Sequence, residues 1–319
     1  MNPIKRVLLT GSTGFVGSSL HAALDTAYSV VATSRSSQIV WNDSQTIGVG
    51  DLSGKTTWTP VLQDIDCVVH VAGRAHKLND KVENPLSEFR KVNVDASLNL
   101  ARQASAAGVK RFIFISSIGV HGASTAGRPL TELSPLIPHT DYALSKLEAE
   151  RGLKEISLEG GMELVILRPP LIYAGHAPGN FRLLLKLVSS GLPLPFLGVN
   201  NQRSMIALEN LVDLITLCIE HPAAANQIFL VSDELDVSTP QIIRCLSEGM
   251  GRKARLFPLP GSLISRGAKL LGRKTIHDQL YGSLAIDSSK VRELLAWTAP
   301  IASDEALVRA GKDFISRVR

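Results

Sequence analysis

The chain has 319 residues, 45% hydrophobic and 20% charged, with a formal net charge of +5. This is ordinary globular composition, long for one simple domain and short for two independent ones, with no internal repeat or low-complexity segment. The cations are dispersed, as in Arg266–Lys274 where leucines separate them, which favours a solvated helix face over a nucleic-acid surface and suits an anionic small-molecule ligand.

Cys67, Cys218 and Cys245 are odd in number and far apart, which leaves neither a metal site nor a disulfide framework. Cys67 and Cys218 lie in apolar runs and read as core residues. The apolar run Val7–Leu9 is too short for a signal peptide, and nothing reaches the length of a membrane span. A cytoplasmic protein is expected, with no membrane and no nucleic acid as partner.

In chain order, Val7–Thr10 is a short strand, followed by glycines and a helix through about Leu24. Ser29–Thr33 is a second strand and Thr46–Gly50 a weaker third. Cys67–Val71 reads as a fully buried strand. Ser87–Ala107 is one long helix ending at Gly108, a good C-cap residue. Arg111–Ser116, a helix over Tyr142–Leu158 and the strand Glu163–Leu167 follow. Beyond Tyr173 the alternation breaks down into Gly/Pro-rich chain around a helix at Phe181–Ser190. Helices at Leu208–Glu220, Thr239–Met250, Ser288–Leu295 and Asp304–Arg317 come next, with one strand near Ile228–Val231. Alternation of this kind predicts an α/β fold, a doubly wound parallel sheet of Rossmann type with a smaller C-terminal substrate-binding cap. The expected division gives residues 1–172 with about 204–234 to the nucleotide-binding unit. The cap takes 173–203 with about 235–319.

Gly11-Ser12-Thr13-Gly14-Phe15-Val16-Gly17 joins the first strand to the first helix. Glycines there permit a sharp turn, close approach of a pyrophosphate and tight helix–strand packing, and the helix N-terminus offers N–H groups to the phosphates. A purely structural glycine turn competes with this reading, and the position between strand and helix favours the nucleotide. The second strand ends in Ser34 and Arg35 without a carboxylate. An acid there would bind the ribose hydroxyls of NAD, whereas Arg35 can pair with a 2′-phosphate, so NADP is favoured over NAD; a solvated surface arginine is the alternative. Asp51 and Leu52 after the third strand, and Ala72 and Gly73 after the fourth, fit the adenine and backbone sides of the same pocket. Each is also an ordinary loop choice.

Ser117 follows the fifth strand, and Tyr142 and Lys146 share one helix face at i and i+4. A nearby ammonium favours the phenolate of a tyrosine. Lys146 can also hydrogen-bond the nicotinamide ribose, and Ser117 can hold the substrate oxygen for Tyr142. Tyr and Lys at this spacing are common on exposed helices. The strand-ending serine and the glycine turn make chance the poorer account.

The segments TGSTGFVG, FIFISS, YALSK and LRPPLIY resemble the extended short-chain dehydrogenase/reductases, in particular the nucleotide-sugar epimerase/dehydratase group. The resemblance runs nearly end to end, through Asn93, Asn180-Phe181, Arg203–Ile206 and Asp287–Trp297. It implies a UDP-sugar substrate whose diphosphate side meets Asn180 and Arg203, and a helix supported by Asn93. It also implies a possible homodimer pairing Ser87–Ala107 with Tyr142–Leu158. Asn180 could instead simply end the glycine loop, and Arg203 could be a surface residue. Dehydratases of the group carry Thr-Asp-Glu where this chain has Ser117-Ile118-Gly119, so elimination of water is not expected. Hydride and proton transfer at C-4 of the hexose remains. Ser34-Arg35, together with a likeness of GNFRLLLKLVSSGLPLPF and RSMIALENLVDLI to the bacterial surface-polysaccharide branch, favours reduction of a UDP-4-keto-6-deoxy-HexNAc. UDP-sugar 4-epimerisation is the alternative. A non-catalytic NAD(P)-sensing protein would typically lose the Tyr or Lys kept here. An enzyme for an apolar ketone would leave Asn180 and Arg203 unexplained.

Overall fold

The computed structural model describes residues 4–36, 39–41, 44–75, 84–125, 127–259 and 280–318; Arg266–Lys274 lies outside them. The strands are Arg6–Thr10 (β1), Ser29–Ser34 (β2), Ile39–Trp41 (β3), Ser44–Gly48 (β4), Cys67–His70 (β5), Arg111–Ile115 (β6), Glu163–Arg168 (β7), Leu171–Tyr173 (β8), Met205–Ala207 (β9) and Gln227–Leu230 (β10). Eight of them form one sheet in the order β10-β7-β6-β5-β1-β2-β4-β3. Its pairings are parallel except β3 with β4. The chain runs outward from β1 through β2 and β4, then returns to place β5 on the other side of β1. Ligands of such sheets bind at that reversal, beyond the carboxyl ends of the strands.

The helices are Phe15–Leu24 (α1), Pro85–Phe89 (α2), Ala96–Ala106 (α3), Asp141–Gly160 (α4), Gly179–Ser189 (α5), Leu208–Glu220 (α6), Thr239–Gly249 (α7), Ser289–Leu295 (α8) and Ser303–Val318 (α9). Strand alternation divides the core. Val7 and Leu9 pack with Leu20 of α1 and Leu211 and Ile215 of α6, on the side that also buries Cys67 and Cys218. Leu8 and Val68 pack with Leu100 and Ala104 of α3 and Leu153 of α4. A third core joins α5, α7 and α9 through Phe181, Leu185, Ile243, Leu246, Leu307 and Phe314. Each such side chain contributes roughly 1.5–3 kcal/mol by leaving water.

Three elements differ from the sequence expectation. The helix expected over 87–107 begins at Pro85, capped by Asn84 Oδ1 accepting from Ser87 N–H at 3.1 Å. A π-helical turn, Arg90–Asp95, interrupts it and buries Asn93; hydrophobic spacing does not register one widened turn. The edge hairpin strand β3 was not foreseen. Nor was the two-stranded sheet of β8 and β9. Its strands have three residues each, too few for an alternation to show, and lie 34 positions apart in register (Leu171 opposite Met205).

Candidate active site

The glycine loop is shaped by two hard contacts. Gly11 has φ +70°, and a Cβ on it would lie 2.8 Å from Ala72 Cα. A Cβ on Gly17 would lie 2.0 Å from the Gly11 carbonyl oxygen, so α1 presses directly on the turn. Ser12 clips the loop to β2, its hydroxyl donating to Thr33 O at 3.1 Å. Gly11, Thr13, Gly14 and Phe15 face a cleft of about 2080 Å³. Ser12, Val16 and Gly17 are not among the residues lining it; Ser12 and Gly17 hold the loop from behind. Gly17→Val should displace α1 from β1 and weaken NAD(P)H binding at least tenfold, measured by fluorescence titration.

His70, at the end of β5, is fully buried beneath this loop. Its ring nitrogens bond Thr10 Oγ1 at 2.7 Å and Ser97 Oγ at 2.8 Å, and Thr10 Oγ1 also accepts from Ala72 N–H. Burial, aided by the Lys146 charge, pushes the imidazole down to about 3. The folded protein therefore holds fewer protons than the unfolded chain between that value and about 6.5. Stability contributed by neutral His70 is complete above about 6.5 and is lost as pH falls toward 3. Urea unfolding of the wild type should lose up to about 1.4 kcal/mol per pH unit more over this window than His70→Gln does.

The ends of β2, β4 and β5 meet the same cleft, bringing Ser34, Arg35, Asp51, Leu52, Ala72 and Gly73 to its wall. Arg35 and Asp51 are exposed there, and Ser34 is buried. Ser117 and Tyr142 also line it. Ser117, two residues beyond β6, is extended and caps the short turn Ile118–Val120, its Oγ accepting from Gly119 N–H at 3.1 Å. That contact leaves the hydroxyl hydrogen free to donate. A Cβ on Gly119 would lie 3.3 Å from both Ser117 Oγ and Ala143 Cβ, so this turn rests on the first turn of α4. Thr140 caps α4, its Oγ1 accepting from Ala143 N–H at 3.1 Å. The Tyr142 ring stands edge-on to Phe89 at 6.0 Å.

Lys146 lies behind the cleft wall. Its Nζ donates to Ile115 O at 2.9 Å, sits 4.5 Å from the centre of the Phe114 ring, and lies 3.4 Å from where a Gly73 Cβ would be. Burial pushes this amine down to about 8, opposed by the Glu150 carboxylate. Burial pushes the Tyr142 phenol up to about 12. In the folded chain, burial outweighs any help that the Lys146 charge gives the phenol. The ammonium is directed at the Ile115 carbonyl, and desolvation raises the phenol.

Asn93 joins the two sides of the site. Its side chain accepts from Arg74 N–H at 2.7 Å, donates to Arg74 O at 3.1 Å and donates to Ser145 Oγ at 3.0 Å. It ties the segment after Gly73 to the helix that carries Tyr142.

Sequence reasoning missed a second layer. Glu150, one turn beyond Lys146, takes a bidentate pair from buried Arg168 of β7 at 3.0 and 2.6 Å. Arg168 also donates to His121 Nε2 at 2.8 Å, and His121 Nδ1 donates to the carbonyls of Ser134 and Pro135. The i+8 position of Glu150 relative to Tyr142 was a readable signal. His121 lies 47 residues from Arg168 and gave none.

Asn180 stands in the first turn of α5, and Arg203 lies between Val237 and Gly282, its Nη1 donating to Gly282 O at 3.3 Å. Both line the same cleft as the glycine loop. Among the described residues no group of His, Cys, Asp and Glu could hold a metal ion.

The residues fit a dinucleotide. The turn at Gly11 leaves no room for a side chain, α1 opens at Gly14 with no capping side chain, and its first turn holds no acid. An anion can therefore reach backbone N–H groups with nothing to displace.

Residues 7–232 match the NAD dependent epimerase/dehydratase family. The chain is 41% identical to a UDP-glucose 4-epimerase of Vibrio cholerae, over 98% of this chain and 96% of that one. It is 27% identical to the N-acetyl-alpha-D-glucosaminyl-diphospho-ditrans,octacis-undecaprenol 4-epimerase of Escherichia coli O157:H7, over 92% and 86%. The solved UDP-N-acetylglucosamine 4-epimerase of Bacillus cereus shares the fold with a TM-score of 0.78 at 18% identity, covering 97% of this chain and 99% of its own. Fold, glycine loop and family match agree: the chain belongs to the NAD dependent epimerase/dehydratase family and is an NAD(P)-dependent extended short-chain dehydrogenase/reductase of the nucleotide-sugar type.

Proposed function

We propose that the protein inverts C-4 of a UDP-hexose, with UDP-glucose or UDP-N-acetylglucosamine as the first substrates to try. The observation that carries this is the 41% identity to a UDP-glucose 4-epimerase across 98% of the chain. Reduction of a 4-keto-6-deoxy-HexNAc, favoured from sequence, rests on Ser34-Arg35 and the likeness of two segments, and takes second place.

When bound, a nicotinamide supplies a hydride acceptor and donor for C-4 and, in its oxidised form, a positive charge within the cleft. Tyr142 Oη takes the proton of the 4-hydroxyl as the ketone forms and returns it as the ketone is reduced. Ser117 donates its free hydroxyl hydrogen to the same oxygen. Lys146 holds the cofactor ribose and supports Tyr142, while Asn180 and Arg203 take the diphosphate. Gly11, Thr13, Gly14, Ala72 and Gly73 cradle the pyrophosphate side, with Asp51 and Leu52 at the adenine. The volume of the cleft, about 2080 Å³, supports a reading in which a sugar turns over beside the dinucleotide.

The test is NMR of UDP-glucose and UDP-N-acetylglucosamine incubated with enzyme and catalytic NAD. Conversion to the C-4 epimer with no net consumption of cofactor is expected. Absence of epimerisation, with stoichiometric NADPH oxidation on a UDP-4-keto-6-deoxy-HexNAc, would replace this reading by the reductase. Arg35 at the cleft wall is the observation that favours that second outcome. Titrating Arg35→Ala with NADPH and NADH shows whether the arginine selects a 2′-phosphate.

A further inference from the structure

The cap carries a surface that C-4 chemistry does not use. From Glu163 to Glu209 the chain has no Asp or Glu between them, and none follows Glu248 through residue 259. Within these stretches Arg182 and Lys186 of α5, and Arg252, Lys253 and Arg255 after α7, are exposed. The fold lays the two stretches side by side. Leu194 N–H donates to Arg255 O at 2.8 Å, Phe257 N–H to Leu194 O at 3.0 Å, and the Arg252 guanidinium to Ser189 O. Set among the cations, Leu192 is 62% exposed, Leu197 44%, Phe257 40% and Leu259 37%. The nearest acid in sequence, Glu248, acts with Asp304 on Cys245. Leu183, Lys186 and Leu192 also line the cleft, so this surface adjoins its mouth, and Arg182, Arg252, Lys253 and Arg255 lie outside the lining.

We propose that this face docks on a bilayer bearing anionic headgroups. Cations without intervening carboxylates match an anionic surface, and leucine and phenylalanine side chains between them gain by entering the headgroup boundary. Hydrated nucleic acid would give the apolar residues nothing to enter. A second copy meeting this face about a two-fold axis would set cations against cations. Docking turns the cleft mouth toward the membrane. The expected absence of a membrane partner rested on the length of apolar runs, which a surface lying on the bilayer does not need. It stands whichever C-4 reaction the site performs.

The test is flotation of the full-length protein with vesicles of phosphatidylcholine alone or with added phosphatidylglycerol. The protein should float with the anionic vesicles only. Each cation near such a surface is worth about fivefold in partition, so Lys253→Glu/Arg255→Glu should lower the bound fraction at least tenfold. Phe257→Asp, and separately Leu197→Asp, should lower it too, with thermal melts matching the wild type. Failure to float with phosphatidylglycerol overturns the proposal, as does flotation that none of these variants changes. Equal binding to duplex DNA that Phe257→Asp leaves intact would mark a general polyanion surface and also overturn it. So would a dimer that dissolves in Phe257→Asp while no vesicle binding is seen.

Discussion

Tyr142→Phe should lower kcat for C-4 inversion by roughly 10²–10⁴-fold, the usual worth of a positioned acid–base group, with little change in dinucleotide affinity. The phenyl ring keeps the edge contact with Phe89, so thermal stability should stay within about 1 kcal/mol of the wild type. Single-turnover kinetics separates the two effects, and near-normal turnover in this variant would remove Tyr142 from the chemistry. The wild-type pH profile bears on Lys146. Its charge is present below about 8 and lost above it, so activity should fall as pH rises through that value. Stability should move the opposite way. The unfolded chain holds a proton on this lysine up to about 10.4, so between about 8 and that value the folded state binds fewer protons, and the cost of burying the ammonium is relieved as pH rises.

Arg168→Met should destabilise the fold by about 3–5 kcal/mol, because it leaves the Glu150 carboxylate buried without its partner. Both side chains are buried, at 3% and 4% exposure, so water cannot make good the loss. The double variant Glu150→Gln/Arg168→Met should recover most of the stability, since removing both charges removes the desolvation penalty. Urea unfolding of the two single variants and the double measures this directly, and a double variant as unstable as Arg168→Met would show that the pair acts through packing. Loss of Arg168 also frees His121 and the turn that carries Ser117. Arg168→Met should therefore reduce kcat even where the protein is fully folded.

Strand ends were legible because each strand here is a short apolar run closed by small or polar residues, and parallel strands put all such closures on one edge. That is why Gly11, Ser34, Asp51, Ala72 and Ser117 fall on one expected edge in the sequence. Tyr142 and Lys146 were legible from helix spacing taken together with the strand-ending Ser117 and the glycine turn. The interrupted helix at Arg90–Asp95 and the sheet of β8 with β9 were not. A π turn changes no residue type, and a three-residue strand shows no period.

The sequence by itself determined the α/β alternation, the parallel sheet and the set of residues at its carboxyl edge, because these follow from local periodicity and from glycines that only a tight turn requires. Tertiary structure decided which members of the glycine loop face the cleft and which brace it. It decided that Lys146 points at Ile115 O and that burial raises the Tyr142 phenol. It also brought Glu150, Arg168 and His121 into one buried cluster from three separate elements. Desolvation and contact between distant segments set those properties, and neither is written in the spacing of neighbours along the chain.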